Sequence, residues 1–481
     1  MMQRLSFLWM TSLFALISVS SYAADEARST LQDQQGVAVT IYNENLALVK
    51  DQRKIEIKRG QSALAFRDVS ARMRPETALL RSLNTPGKLS VIEQNFDFDL
   101  LTPQKLLEKY VGKNVSLIRI NPATGVETTE LAQVLAANEG VVLKVGKHIE
   151  TGMPGRIVYP DVPDNLRDRP TLVMSLNNVG APQQEVELSY LTGGLAWRAD
   201  YVAELNATDD LLDLSGWVTL TNTSGASYTH AKLQLVAGDV NQVQNEMQYA
   251  ARGKVMVTMA ASADVRMAEE SLMEYHLYSL DHPTSIAENQ TKQVALLSAS
   301  GVPAKKELLL RGADYYYQSS YGDLGQKMKV SVFVEFDNKE SARLGLPLPK
   351  GVIRVYKKDS AGNAQFVGED NIDHTPKNEK VRLKLGESFD VTADKKQIDF
   401  VAKQSNPNKG NPQYESAYEI VLKNAKKEAV NVTVQEPIPA DWKVLKESHP
   451  HEKASSNTAV WHITIPAESS TKLQYRVLVR Y

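Results

Sequence analysis

Apolar and polar residues alternate along most of this chain in short runs broken by Gly, Asn, Asp and Pro. A period of two places every second side chain on one face of an extended strand, so the pattern predicts antiparallel sheet. "VAVTIYNENLALVKDQRKIEIKRGQSALAFRDV" (residues 37–69) reads as three strands joined by turns. In it Val37, Val39 and Ile41 point one way, and Ile55 and Ile57 behave likewise. One segment departs from the pattern. "TPQKLLEKYVG" predicts a short helix, with Thr102 as cap, Pro103 at the first helical position and Gly112 ending it. The closely spaced strands that follow predict a small SH3-like barrel near residues 111–160. A connection bearing Pro160, Pro163 and Pro170 then favours extended backbone without ladder donors.

Longer alternating runs resume after that connection. In "YLTGGLAWRADY" (residues 190–201), Gly193 and Gly194 permit the positive φ of a tight turn between strands. Trp197 is then expected to pack between sheets, and Arg198 and Asp200, two apart on one face, to form a lateral ion pair. Residues 241–273, rich in Ala, Met, Gln and Glu without alternation, read as a mobile insertion. Regular strands continue to the C-terminus with the count and turn spacing of a β-sandwich. The expected fold class is all-β: multi-domain antiparallel β-sandwiches, a small SH3-like barrel in the N-terminal half and one short helix. The expected division is an N-terminal β region over 24–185, a central β domain over 186–395 and a C-terminal sandwich portion over 396–481.

Residues 1–23 carry the marks of a signal peptide. Arg4 precedes an apolar run, "LSFLWMTSLFALISV", and Ser21 and Ala23 place the cut after Ala23. The run is shorter than the roughly 20 apolar residues of a spanning helix, and no later segment approaches one. The expected location is the periplasm, with secretion the second choice. Cys 0 excludes a lipid-modified cysteine, a disulfide and a thiolate metal site. A formal net charge of -2, with Lys+Arg 55 against Asp+Glu 57, offers no basic field for nucleic acid.

Recognisable catalytic sets are few. "SSTK" (residues 469–472) has the spacing of a serine acyl-transfer motif but precedes a strand instead of opening a helix. "SHPHEK" brings His449, His451 and Glu452 together in a proline-bearing loop, which fits a solvated turn better than a metal site. "GEDNIDHTPKNEK" concentrates Asp370, Asp373 and His374, and the bland reading is an Asx-type turn. "GADYYYQSSYG" gathers Tyr315, Tyr316, Tyr317 and Tyr321, and strand alternation would put Tyr316 on the opposite face from Tyr315 and Tyr317. "YRVLVRY" ends the chain like an outer-membrane strand, but charged upstream runs such as "KVRLKLG" make poor lipid faces. No cofactor is called for.

"SYLTGGLAWRADYVAEL", "GWVTLTNTSGASYTHAKLQLVAGDVN", the long run from "LPLPKGVIRVYKKD" to "KLGESFDV", and "VQEPIPADWKVLKES" resemble the bacterial family of domain of unknown function number 4139. Mucoidy-inhibitor-A-like proteins carry the same domain. The resemblance covers residues 186–481, with a weaker likeness of residues 39–66 to the small β-domain that often precedes it. It implies a β-rich envelope or secreted protein, and it brings no activity, cofactor or catalytic residue. A long coiled coil between the two β regions is missing here. The expected function is a periplasmic, non-enzymatic binding or scaffold protein, its partner an envelope protein or polysaccharide. Trp197, Arg198, Tyr315, Tyr317, Asp370, Asp373 and His374 are the candidate contacts. The alternative is an envelope-glycan hydrolase using paired carboxylates such as Asp370 and Asp373.

Overall fold

The computed structural model describes residues 26–481 except 44, 98, 139, 153–154, 164–165, 239, 242–266 and 404–411. The expected signal peptide and most of the expected insertion lie outside the described residues. The described residues form two compact units, one within 26–37 and 50–191, the other within 38–49 and 192–481. Both are mostly β: strands make up 66% and a single α-helix is present among the described residues.

In the first unit, Glu26–Ser29, Gly60–Arg67, Thr171–Asn178 and Leu89–Asp97 pair in that order. The helix Pro103–Lys109 starts as its sequence predicts, with the Lys105 amide donating to Thr102 Oγ1 at 3.1 Å. It buries Leu107 against Val115, Leu117, Val134 and Leu143. Those residues line one face of a five-stranded antiparallel sheet ordered His148–Thr151, Val142–Val145, Glu127–Ala136, Asn114–Ile120, Arg156–Val158. The expected SH3-like barrel is corrected here, because this sheet is open among the described residues. Closure needs tilted outer strands that meet each other. The two end strands, of 4 and 3 residues, are short and pair only inward.

The second unit holds a long sheet whose main path runs Ala364–Ile372, Gly351–Lys358, Leu195–Leu205, Leu211–Asn222, Gln290–Arg311, Asp323–Asp337, Lys380–Lys403, Gln413–Asn424, Ser469–Arg480, Asp441–Glu447. Gln290–Arg311 is 22 residues long and changes partners along its length. Its first half pairs with Leu211–Asn222. Its second half pairs with Asp323–Asp337 and, in parallel, with Val430–Pro437. Side chains from these strands meet in one core containing Tyr418, Trp461 and Tyr475. The terminal strand spends its alternation there: Leu473, Tyr475, Val477 and Val479 are all in the cluster.

The expectation of purely antiparallel sheet is also corrected. Glu26–Ser29 with Gly60–Arg67, Leu195–Leu205 with Gly351–Lys358, and Gln290–Arg311 with Val430–Pro437 are parallel pairs. Strands distant in sequence can meet in either direction, because no tight turn dictates antiparallel return. At the described end of the expected insertion, Ala268–Leu272 forms a hairpin strand against Tyr275–Ser279.

Candidate functional site

Gly194 has φ +83, and a Cβ there would lie 2.6 Å from Ser224 Cα, so only glycine fits the turn before Leu195–Leu205. Trp197, three residues on, is 4% exposed and tilted against Tyr278 with ring centroids 6.5 Å apart. It fills the interior. Its indole Nε1 is buried without a hydrogen-bond partner among the described residues.

Arg198 forms the expected ion pair, Nε to Asp200 Oδ2 at 3.0 Å. Asp200 also accepts from Thr219 Oγ1 at 2.7 Å and from Arg354 Nη1 at 3.0 Å, and Arg354 Nε reaches Glu369 at 3.2 Å. Burial alone would raise the Asp200 pKa. The bonds from Thr219, Arg354 and Arg198 outweigh burial and hold it below the usual carboxylate value. A pKa lower in the folded than in the unfolded chain gives stability above the unfolded value, which disappears as pH falls through the folded one. Urea midpoints followed from neutral pH into acid should therefore drop less steeply for Asp200→Asn than for the wild type. Parallel curves would show that the network carries no such linkage.

Asp370 sits on Ala364–Ile372 with both carboxylate oxygens accepting backbone amides, from Asn371 at 2.9 Å and Lys384 at 2.7 Å. An acid or base at this position would have to give up one of these bonds. Asp373 is exposed, and its carbonyl accepts from Thr375 Oγ1 at 2.8 Å. His374 Nδ1 accepts the Lys350 amide at 3.2 Å, and its Nε2 lies 3.3 Å from Asn43 Nδ2. His449 bonds Ser448 Oγ at 2.9 Å. His451 pairs with Glu447 Oε2 at 2.9 Å, which also accepts from Trp461 Nε1 at 3.0 Å. No group of three or more His, Cys, Asp or Glu that could hold a metal ion occurs among the described residues.

The tyrosine run behaves differently from a strand. Asp314–Tyr317 is a 3-10 turn, so Tyr316 and Tyr317 are both buried while Tyr315 stays 50% exposed. Tyr317, a candidate surface contact in the sequence, is fully buried: strand alternation does not apply to a helical turn.

What Tyr317 touches was not singled out in the sequence. Its hydroxyl donates to Glu436 Oε2 at 2.8 Å and lies 3.0 Å from the Tyr475 hydroxyl. Lys395 Nζ is 2.6 Å from each Glu436 oxygen. It stands over the Tyr316 ring at 4.3 Å and the Tyr418 ring at 5.2 Å. Both charged side chains are shut off from solvent, at 1% and 0% exposure. Gly312 makes room: a Cβ there would lie 2.2 Å from Glu436 Oε2. Burial lowers the Lys395 pKa although Glu436 pulls it up, and burial drives the Tyr317 and Tyr475 hydroxyls upward. The sequence does hold a signal for this site. Val391, Ala393 and Lys395 share one strand face, as do Val432, Val434 and Glu436, so two charged residues fall in inward register.

Elsewhere in this unit a shallow cleft of about 210 Å³ is floored by Leu205, Val332, Val334 and Leu385. At its edge Asp209 pairs with Lys306 and, at 2.5 Å, with Lys357. Among the described residues no helix is long and apolar enough to cross a membrane.

The observations define a mostly-β protein whose buried ionisable groups are tied into local networks. Residues 186–481 match the family described as Domain of unknown function (DUF4139). The chain belongs to that family. No curated protein matches it.

Proposed function

We propose that the chain is a non-enzymatic binding or scaffold protein of the bacterial cell envelope. It is exported to the periplasm through a signal peptide cut after Ala23, and is built from β-sandwich modules. The supporting observation is a contrast within the family domain. Asp200 accepts three side-chain hydrogen bonds, from Arg198, Thr219 and Arg354, and Asp370 accepts two backbone amides, so both are held in structural roles. Large aromatic side chains meanwhile stand in solvent: Phe389 is 96% exposed and Phe366 55%. An aromatic ring this exposed suits contact with a protein surface or the apolar face of a sugar.

A photo-crosslinking residue placed at Phe389 in cells should capture a reproducible envelope protein or polysaccharide, and Phe389→Ala should reduce co-purification of the same partner. Recovery of no reproducible partner, or undiminished recovery with the alanine variant, would contradict the reading. Cell fractionation tests the location separately, by whether the chain is released with the periplasm and begins after Ala23.

A further inference from the structure

We propose that the cleft edged by Asp209 is a binding site for a small apolar carboxylate, a free acid with a hydrocarbon part of roughly eight carbons. Such a ligand needs an apolar floor and an anchored positive charge, and strand register supplies both on one face. Lys306 stands directly opposite Val334, and Lys357 directly opposite Leu205. Residues opposite each other on neighbouring strands point to the same side of a sheet. Each lysine therefore shares a face with a buried aliphatic side chain of the floor. Both ammonium groups converge on the Asp209 carboxylate, Lys306 on Oδ2 and Lys357 on Oδ1.

Two cations on one carboxylate leave a positive charge over. Burial raises the Asp209 pKa, but the hydrogen bonds from Lys306 and Lys357 outweigh it and hold it below the usual carboxylate value. Asp209 is thus ionised at neutral pH and cancels only one of the two. The other carboxylate lining the cleft, Glu387, is paired with Lys384 at 2.9 Å. An ammonium has three donors, and a single bond to Asp209 leaves two on each lysine for a second anion. Solvent reaches both side chains, which are 35% and 33% exposed.

The walls explain the opening between them. Ala364–Ile372 pairs with Gly351–Lys358, and Lys380–Lys403 with Asp323–Asp337 and Gln413–Asn424, so among the described residues no ladder joins Ala364–Ile372 to Lys380–Lys403. They meet at Gly368, where a Cβ would lie 2.4 Å from the Leu385 carbonyl oxygen, and at Asp370, whose Oδ2 accepts the Lys384 amide at 2.7 Å. Val367 and Leu385, beside that contact, line the cleft. An apolar cavity of about 150 Å³ admits a benzene, so 210 Å³ sets the length of hydrocarbon given above. A purely polar anion would leave Val332, Val334, Val367 and Leu385 uncovered. An uncharged hydrocarbon would leave the surplus cation unpaired.

The test is calorimetric titration of the full chain at low salt with sodium octanoate, 1-octanol and sodium acetate. Octanoate should bind at a saturable site, and the other two probes about tenfold or more weakly. Lys306→Met and Lys357→Met should each weaken octanoate about tenfold and leave octanol unchanged. Val367→Trp, at a position 39% exposed, should fill the cleft and remove octanoate binding. Octanol binding as tightly as octanoate would show that the lysines recognise nothing, and acetate doing so would show the same of the floor. Either result, or no saturable octanoate binding, overturns the proposal on the wild-type chain alone, whether or not the variants fold. Octanoate binding undiminished in Val367→Trp puts the ligand elsewhere and overturns it equally.

Discussion

Gly351→Ala lowers the stability of the second unit by about 2–3 kcal/mol, the cost of forcing an extra carbon into a packed site that cannot relax. Gly351 opens a strand lying parallel to Leu195–Leu205, directly opposite Ala199. A Cβ at 351 would sit 2.2 Å from the Ala199 carbonyl oxygen and 2.8 Å from its carbon. Both are backbone atoms, so no change of rotamer relieves the clash. The strand has to move away, lengthening the parallel hydrogen bonds and disturbing the Asp200–Arg354 contact three residues further on. Gly322→Ala is the internal control, because a Cβ there meets nothing within 4 Å and its φ is not positive. It should stay within about 0.5 kcal/mol of wild type. Urea denaturation followed by tryptophan fluorescence measures both, and coincident midpoints for the two variants would refute the steric account.

Arg53→Ala in the first unit carries a larger effect, about 3–5 kcal/mol, because it leaves a buried carboxylate without its counter-charge. The Arg53 guanidinium is closed to solvent and donates twice to Asp51 Oδ2, at 3.1 and 2.7 Å. It donates also to Ser29 Oγ at 3.3 Å and to the Arg67 carbonyl at 2.8 Å, and lies 3.7 Å over the Phe66 ring. One side chain thus ties four residues together, and among the described residues Asp51 retains only the Gln34 side-chain amide at 2.9 Å once it is removed. The double variant Arg53→Met/Asp51→Leu should recover most of the loss, since a pair of apolar side chains leaves no charge to desolvate. Chemical denaturation of the two variants and the wild type provides the comparison. A loss below about 1 kcal/mol for Arg53→Ala would mean that solvent reaches Asp51 in its place.

Much of the local structure was legible in the residues. The cap at Thr102, the proline after it and the alternation of Leu473, Tyr475, Val477 and Val479 act through neighbours in sequence, and each is where its pattern requires. The Arg198–Asp200 pair was legible for the same reason, because residues two apart on a strand share a face. Tyr317 was misplaced because period-two reasoning was carried into a 3-10 turn. The Lys395–Glu436 site was overlooked because a single charged residue in inward register reads as noise until its partner, 41 residues away, is known.

By itself, then, the amino-acid sequence determined that the chain is mostly strand, where its helix begins and which faces turn inward, because these follow from backbone geometry and side chains a few positions apart. Only the tertiary structure decided which strands run parallel, that the small N-terminal sheet stays open, and that a lysine and a glutamate meet among four tyrosines. Those outcomes depend on which distant segments pack together, and the energy that selects them comes from burial shared across the whole unit.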